Sequence, residues 1–249
     1  MAVVYTLERM RVLAGACIVL LAARSPASAQ HGGAGKLTYG VEWRLIRAGT
    51  ATLEYQKTHA TLRLESGGIV SALMKILDTY DADYQDSYCA VSSVMDSKEG
   101  KRHHDTRVTY DYSRNRAFFV EKDLARNAVI RQTGVDIPNC ASDAVGALLN
   151  LRGMNTPLGQ AVRLPVSDGR RFAQVKVEAQ EREQIKTSAG MFNTVRYEAD
   201  LMNGVIYSRK GHVHIWLTDD PRRLPVQIRL QLSFPVGTVT LALEKEEYP

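Results

Sequence analysis

The sequence predicts a mainly β protein, built on a single large curved antiparallel sheet that forms a half-barrel or open barrel with one or two short covering helices. Three observations support this fold class. Apolar and polar residues alternate along most of the chain, short turn signals separate the alternating segments, and one segment alone has a clear helical pattern. A twisted sheet of about ten strands tends to curl, which favours a half-barrel. With 249 residues and 45% hydrophobic content, the chain can bury one core, and we expect a single β-rich domain over residues 37–246.

Alternation with period two is clearest in residues 37–45, 226–234 and 239–243. Every second residue there is apolar, so each segment is expected to form a strand with one face on the core. Turn signals lie between the predicted strands; they are Arg47-Ala48-Gly49, Ser113-Arg114-Asn115, Ser167-Asp168-Gly169, Ser188-Ala189-Gly190, Lys210-Gly211 and Pro235-Val236-Gly237. Their short and regular spacing predicts an antiparallel meander.

One helix is predicted over residues 143–152. Ser142 or Asp143 can accept hydrogen bonds from the free N–H groups of its first turn, and apolar residues follow at helical spacing. Gly153 stands where the residue after a helix often has a positive φ. A second, weaker helical pattern covers residues 70–77 and could equally be the start of a strand.

The beginning of the chain predicts export. Two arginines precede an almost unbroken apolar run over residues 12–23, and the small-x-small sequence Ala27-Ser28-Ala29 follows. These features are typical of a cleaved signal peptide, residues 1–29, which leaves Gln30 as the first mature residue. A membrane anchor would need about 20 apolar residues. We therefore expect a periplasmic or secreted protein with no membrane span after signal removal and a flexible lead-in over residues 30–36.

Lipidation is an alternative fate of the leader. The sequence Ala14-Gly15-Ala16-Cys17 loosely resembles the lipobox of a lipoprotein. A lipobox cysteine normally ends the apolar run, whereas this run continues to Leu21. We therefore favour cleavage after Ala29 over lipidation at Cys17.

Cys89 and Cys140 are the two cysteines that remain after removal of the leader. Outside the cytoplasm such a pair is expected to form a disulfide, because no reducing system keeps the thiols free. The sequence contains no Cys-x-x-Cys redox pair and no Cys/His cluster with zinc spacing. Since Pro138 directs the chain into the predicted helix, the disulfide would pin that helix to the sheet.

Charge and motifs argue against several function classes. Lys and Arg number 32 against 27 Asp and Glu, a small and dispersed surplus that argues against a nucleic-acid partner. The sequence contains no Gly-x-Ser-x-Gly elbow, His-Glu-x-x-His helix, phosphate loop or dinucleotide fingerprint. We therefore expect no cofactor and assign no catalytic residue.

His212 and His214 have the only metal-like spacing, because residues two apart on a strand share one face. That face also carries Trp216, and no third ligand is obvious, although a neighbouring strand could supply a carboxylate. We favour histidines on a solvated or groove-lining face over a metal site. Two other ionisable clusters have simpler structural interpretations, since Asp219-Asp220 opens a turn and His103-His104-Asp105 lies in a solvated hairpin.

Three motifs link the chain to a known family. They are Leu37-Thr38-Tyr39-Gly40-Val41-Glu42-Trp43 before Ala48-Gly49, Asp143-x-x-x-Ala147-Leu148-x-x-Leu151-Arg152, and Ile215-Trp216-Leu217-Thr218-Asp219-Asp220 before Leu224-Pro225-Val226. In this order they resemble the exported bacterial family called domain of unknown function 3108 (DUF3108), over nearly the whole mature chain. Members usually carry two tyrosines where this chain has Leu149 and Asn150, so any ligand role of those rings is not carried over. The resemblance implies an envelope protein with a large curved antiparallel sheet, similar to lipoprotein-carrier half-barrels, with no established reaction or catalytic residues.

Two function classes fit this chain. We expect noncatalytic binding of a lipid, a lipoprotein acyl chain or a similar apolar ligand in the groove of the curved sheet. The alternative is an enzyme acting on envelope or extracellular polysaccharide, for which the ligand would be a glycan, and a purely structural envelope role is a third class. The candidate ligand-binding residues are Trp43, Arg152 and Trp216.

Asp143 and Arg152 lie at opposite ends of the predicted helix, about 13 Å apart along its axis, so they cannot touch. In the structural interpretation, Asp143 caps the helix and Arg152 reaches a carboxylate of the sheet. In the functional interpretation, Arg152 lies at the mouth of a cavity and holds an anionic headgroup or a uronate. We favour the structural interpretation.

Overall fold

The computed structural model describes residues 33–200, 211–232 and 237–248. Within these ranges the chain forms fourteen strands in one antiparallel sheet and two α-helices, so the predicted fold class is confirmed. The strands are β1 (Gly35–Trp43), β2 (Ile46–Tyr55), β3 (His59–Ser66), β4 (Ile76–Gln85), β5 (Cys89–Glu99), β6 (Arg102–Asp111), β7 (Arg116–Asp123), β8 (Ala128–Asp136), β9 (Ala161–Ser167), β10 (Phe172–Thr187), β11 (Gly190–Asp200), β12 (Gly211–Thr218), β13 (Pro225–Leu232) and β14 (Thr238–Glu247). The helices are α1 (Gly68–Leu73) and α2 (Ala144–Gly153).

The strand order divides the sheet into two meanders that meet at its centre. The order is β8-β7-β6-β5-β4-β3-β2-β1-β14-β13-β12-β11-β10-β9. Each strand pairs with its neighbours along the chain, and the pairing of β1 with β14 joins the meander β1 to β8 to the meander β9 to β14. β8 and β9 are therefore the two edges, and the sheet is not closed into a barrel. The chain between these edges contains α2.

α2 lies between the two meanders and contacts both. Val145 and Leu149 pack in a core cluster built mainly from β1 to β7, whereas Ala147 and Leu151 pack in a second cluster with β9 to β12. Side chains four residues apart share one face of a helix, so opposite faces of α2 contact opposite halves of the sheet. The sheet therefore curves around this helix.

β1 forms the seam between the meanders. Leu37 and Tyr39 are buried, as their alternation predicts, and Leu37 lies opposite Leu53 of β2. The hydroxyl of Tyr39 donates a hydrogen bond of 2.8 Å to the carbonyl oxygen of Pro225. This bond ties β1 to the start of β13, two strands away across the seam.

The first hairpin turn differs from the prediction. It is formed by Arg44 and Leu45 rather than by Arg47-Ala48-Gly49. Their φ angles of 50° and 69° are left-handed. Gly or Asn usually occupies such positions, and the Arg-Leu sequence here does not predict the turn. Leu45, predicted on the apolar face of the strand, is 93% exposed in the turn. Gly49 lies inside β2, where a Cβ would come 2.0 Å from the carbonyl oxygen of Glu65.

The helix ends also differ in detail from their predictions. α2 has Asp143 as its N-cap, as predicted, but Gly153 is its last helical residue and Met154 leaves the helix in an extended conformation with a φ of −97°. The predicted positive φ at Gly153 is therefore wrong, because an extended residue ends the helix instead. α1 is shorter than the weak pattern over residues 70–77, since β4 already begins at Ile76. Neither helix in the described ranges is long and apolar enough to cross a membrane.

Three predicted turns are confirmed, at residues 113–115, 167–169 and 188–190. Asn115 and Gly169 have the positive φ angles, 50° and 80°, that such turns require. The turns predicted at residues 210–211 and 235–237 lie wholly or partly outside the described residues. The predicted signal peptide, its cleavage site and Cys17 also lie outside them.

Residues 140–143, called the clamp segment below, fix the start of α2 against both halves of the sheet. Cys140 forms the predicted disulfide with Cys89 at the start of β5, and the two Cα atoms are 5.1 Å apart. Ser142 forms a parallel bridge with Val166 of β9. The clamp segment therefore connects the first meander, the second meander and the helix.

Replacing Cys89 and Cys140 together by alanine is expected to lower the free energy of unfolding by about 4 kcal/mol, because the disulfide closes a long loop in the unfolded chain. The sequence separation of the two cysteines is 51. Urea denaturation of the oxidised protein and of the double variant measures the difference. The reduced wild-type protein should match the double variant, and two free thiols on alkylation without reductant would contradict the prediction.

Candidate functional site

A cavity of about 280 Å³ lies between the start of α2 and the inner face of β3 to β7. Its wall is mainly apolar and includes Leu62, Leu64, Met95, Val108, Phe119 and Val145. These side chains point inward because every second residue of a strand faces the same side of the sheet. The intervening residues Arg63, Arg107 and Phe118 are exposed. We call this space the α2 cavity.

Asp143 supplies a buried carboxyl group to the α2 cavity. Its side chain is 3% exposed. Oδ1 accepts hydrogen bonds from the backbone N–H of Gly146 at 2.7 Å and from the hydroxyl of Tyr84 at 3.1 Å. Oδ2 accepts no hydrogen bond from the described residues. The cap of the helix is therefore also a buried acceptor on the wall of an apolar cavity.

Burial raises the pKa of Asp143, and hydrogen bonding from the backbone N–H of Gly146 and from the hydroxyls of Tyr80 and Tyr84 opposes that increase. Burial likewise raises the pKa of Tyr80, Tyr84 and Tyr110, and the nearby negative charge of Asp143 raises each of them further. These phenols are hydrogen-bond donors at neutral pH. The site thus combines one carboxyl group with donors that stay protonated.

Two further groups give the α2 cavity its polar features. Asp78 is buried on the wall, and its Oδ1 accepts a hydrogen bond of 3.0 Å from the backbone N–H of Lys98. Arg170 also lines the cavity, with its guanidinium 5.2 Å from the centre of the Phe119 ring and in an ion pair of 2.6 Å with Asp168. The cavity wall therefore has three carboxyl groups, those of Asp78, Asp143 and Asp168, and the last of them is paired with a cation over an aromatic ring.

A cleft of about 320 Å³ lies at the other end of α2 and is lined by Arg152. Nε and Nη2 of Arg152 donate hydrogen bonds of 3.1 and 3.2 Å to the carbonyl oxygens of Arg223 and Arg222. The guanidinium also lies 4.7 Å from the centre of the Tyr55 ring. The hydrogen bonds of Arg152 therefore go to backbone carbonyls, while its charge acts on a sheet carboxylate by opposing the burial that raises the pKa of Glu246 in β14.

Trp216 and Trp43, the other candidate ligand-binding residues, line neither of these spaces. Trp216 is 3% exposed, belongs to the core cluster that contains Val145 and Leu149, and donates a hydrogen bond of 2.7 Å from Nε1 to Glu183. Trp43 is half-buried at the end of β1, with the guanidinium of Arg44 5.2 Å from its ring. The structure therefore does not bring Trp43, Arg152 and Trp216 together.

His212 and His214 share one cross-strand carboxylate. Oε1 of Glu198 lies 3.3 Å from Nδ1 of His212, and Oε2 of Glu198 lies 3.5 Å from Nε2 of His214. Burial lowers the pKa of His214, which favours its neutral form. Within the described ranges, no three His, Cys, Asp or Glu side chains are arranged to hold a metal ion. The adjoining residues 201–210 lie outside those ranges.

Sequence reasoning missed Asp78 and Tyr80 as wall residues. Both lie on β4 at alternating positions with Ala82 and Tyr84, which are buried. This alternation was the available signal, but the helical pattern over residues 70–77 obscured the start of the strand. Asp143 was identified only as a helix cap.

The family profile described as protein of unknown function (DUF3108) matches residues 38–244. The chain belongs to the DUF3108 family. This confirms the resemblance drawn from the three motifs. No curated protein has significant sequence similarity to this DUF3108 chain.

Two solved structures are similar to this DUF3108 protein. A β-barrel-like protein of domain of unknown function DUF1849 from Brucella abortus is 7% identical, with a TM-score of 0.57, and the match covers 87% of this chain and 98% of that one. A DUF1089 family protein from Pseudomonas aeruginosa is 12% identical, with a TM-score of 0.39, and the match covers 88% and 95% of the two chains. The likeness to the first structure supports the β-barrel-like fold and says nothing of a reaction.

Replacing Trp216 by alanine is expected to lower the free energy of unfolding by about 3–5 kcal/mol, because the ring is removed from the core. Trp43→Ala is the matched control, since Trp43 is half-buried, and it should cost less than about half as much. Urea denaturation measures both variants. Equal losses would contradict the core position of Trp216.

Asp143→Asn is expected to make stability less dependent on pH, because asparagine keeps the helix cap but cannot ionise. The raised pKa of Asp143 means that its contribution to stability is fully present below the unfolded-state pKa of about 3.9 and is lost as pH rises through the folded-state pKa. The variant should therefore gain stability relative to wild type over that interval and keep a constant difference above it. Urea denaturation at a series of pH values tests this, and a difference that does not change with pH would contradict it.

Proposed function

We propose that this protein is a noncatalytic binding protein that holds an apolar or amphipathic molecule, such as part of a lipid, in the α2 cavity. The observation that carries the proposal is an apolar wall with a buried, half-satisfied carboxyl group in it. Concave sites with mainly apolar linings and a few polar groups are the usual ligand sites of proteins. The 280 Å³ volume suits one chain or ring of a ligand rather than a whole multi-chain lipid.

The polar groups of the cavity indicate which end of a ligand lies inside. Oδ2 of Asp143 is a buried acceptor without a partner among the described residues, so a ligand hydroxyl or amine that displaces the atoms covering it would satisfy both partners. A buried polar group without a partner costs about 1–3 kcal/mol, and a ligand donor would recover that cost. A ligand with a hydrogen-bond donor and an apolar body therefore fits the α2 cavity better than a pure hydrocarbon.

We propose that the protein works outside the cytoplasm, in the periplasm or as a secreted protein. The disulfide between Cys89 and Cys140 supports this location, because disulfides persist where thiols are not kept reduced. The signal peptide over residues 1–29 and the domain over residues 37–246, both sequence predictions, agree with it.

The second candidate function is an enzyme acting on a glycan. Asp78 and Asp143 both line the α2 cavity, and glycosidases use two carboxyl groups, one of them with a raised pKa. Against this candidate, Oδ1 of each aspartate is already engaged by backbone N–H groups. The binding function is therefore the better supported of the two.

Leu64→Trp is expected to block the cavity and weaken binding of 1-aminoanthracene, a fluorescent apolar amine. The larger side chain fills space that the probe would occupy, so the dissociation constant should rise at least about tenfold, which is about 1.4 kcal/mol. Arg63→Trp is the matched control, because Arg63 is exposed on the opposite face of β3, and it should change the constant less than about twofold. Fluorescence titration of the intact wild-type protein and of the two variants measures the three dissociation constants.

Equal affinity of the two variants, or no binding by wild type, would contradict the proposed function. Mass spectrometry of gently extracted protein is an independent measurement. A co-purified lipid supports the proposal, whereas a bound oligosaccharide that wild type hydrolyses and Asp78→Asn does not would favour the glycan enzyme.

A further inference from the structure

One end of the first meander carries an unusual number of exposed apolar side chains. Nine of the fourteen exposed large hydrophobic residues in the described ranges lie there. We call this surface the apolar tip; it consists of Leu45, Ile46, Ile69, Leu73, Met74, Leu77, Leu124, Val129 and Ile130. Leu45, Leu73 and Ile69 are 93%, 79% and 71% exposed. An apolar surface of this extent marks an interaction site more often than chance exposure.

Hydrogen bonds between neighbouring hairpins hold the apolar tip together. The N–H of Gly67 donates to the carbonyl oxygen of Ala48 at 2.8 Å, which places α1 beside the turn between β1 and β2. The N–H of Gly100 donates to the carbonyl oxygen of Lys75 at 2.8 Å. The N–H of Leu124 donates to the carbonyl oxygen of His103, also at 2.8 Å. The four turns that connect β1 to β2, β3 to β4, β5 to β6 and β7 to β8 therefore lie side by side at one end of the sheet.

α1 presents its apolar residues to solvent. None of its six residues is buried, although Ile69, Val70 and Leu73 are among them. A short helix gains its stability mainly from burying an apolar face, and in this helix only Val70 is half-buried, whereas Ile69 and Leu73 are exposed. Its sequence therefore suits a surface that is covered by something else.

The charges of the four turns are all positive. Residues 44–45, 67–75, 100–101 and 124–127 contain Arg44, Lys75, Lys101 and Arg126 and no carboxylate. Lys75 and Lys101 make no ion pair within the described residues, whereas Arg126 pairs with Asp123 at 3.6 Å. Carboxylates begin on the strands behind the turns, where Glu65 lies opposite Leu77, Glu99 opposite Ile76 and Asp123 opposite Ala128. The foremost part of this end is therefore apolar and cationic.

We propose that the apolar tip docks on an anionic lipid membrane. Exposed leucine and isoleucine side chains bury their apolar surface at the boundary between headgroups and acyl chains, and flanking lysines reach the headgroup phosphates. Each cation near an anionic bilayer adds attraction that falls with added salt. This inference does not depend on the proposed function of the α2 cavity, since the two surfaces share no residue.

Sedimentation with vesicles tests the docking. The intact protein should bind vesicles of equal parts phosphatidylglycerol and phosphatidylcholine more tightly than vesicles of phosphatidylcholine alone. The apolar variant Ile69→Ser/Leu73→Ser and the charge variant Lys75→Glu/Lys101→Glu should each weaken binding about tenfold or more. All four positions are exposed, so the variants should keep the far-ultraviolet circular dichroism of wild type.

Matched controls lie elsewhere on the surface. Met191→Ser changes an apolar residue that is 60% exposed at the turn between β10 and β11, and Arg163→Glu reverses an exposed charge on β9. Both should bind vesicles as wild type does. The proposal is overturned if wild type does not bind anionic vesicles, if the controls lose as much affinity as the tip variants, or if the apolar variant binds as wild type does.

Discussion

The fold depends on how the clamp segment joins three elements that would otherwise be far apart. Its disulfide attaches it to β5, its parallel bridge attaches it to β9, and Asp143 starts α2. Backbone pairing joins the two meanders along a single seam, β1 with β14, and the hydroxyl of Tyr110 in β6 adds one hydrogen bond of 2.8 Å to the carbonyl oxygen of Ser167 in β9. A sheet joined along one seam can open or close like a hinge, so its curvature needs a second connection. The clamp segment and α2 provide that connection on the inner side of the sheet.

The position of α2 also explains why the two spaces at its ends differ in chemistry. A helix carries partial positive charge at its N-terminus and partial negative charge at its C-terminus. Asp143 caps the first end and lines the α2 cavity, whereas Arg152 lies in the last turn and lines the cleft. Each side chain has the sign that the helix end favours. The same helix that fills the core therefore places a carboxyl group in one space and a guanidinium in the other.

The sequence was informative where local pattern and tertiary structure agree. Alternation identified the buried face of β1, the residues at 143–152 identified α2 to within one residue, and the two cysteines identified the disulfide. It was uninformative where tertiary contacts decide. Arg44 and Leu45 adopt left-handed conformations that no local signal marks, and the acceptors of Arg152 are backbone carbonyls seventy residues away in the chain. Backbone atoms are the same in every residue, so no sequence motif could point to them.

The open edge of the sheet follows from the same contacts. Closure into a barrel would require β8 to pair with β9, and β9 has only one free edge because β10 occupies the other. On that free edge, the N–H of Ser142 donates to the carbonyl oxygen of Pro165 at 2.9 Å. The carbonyl oxygen of Ser142 accepts a hydrogen bond from the N–H of Ser167, also at 2.9 Å. These bonds use backbone groups that a closing β8 would need. The disulfide also ties the clamp segment to β5, which opposes its displacement from this edge by β8. The interior of the sheet is therefore kept open beside the start of α2, which is where the α2 cavity lies.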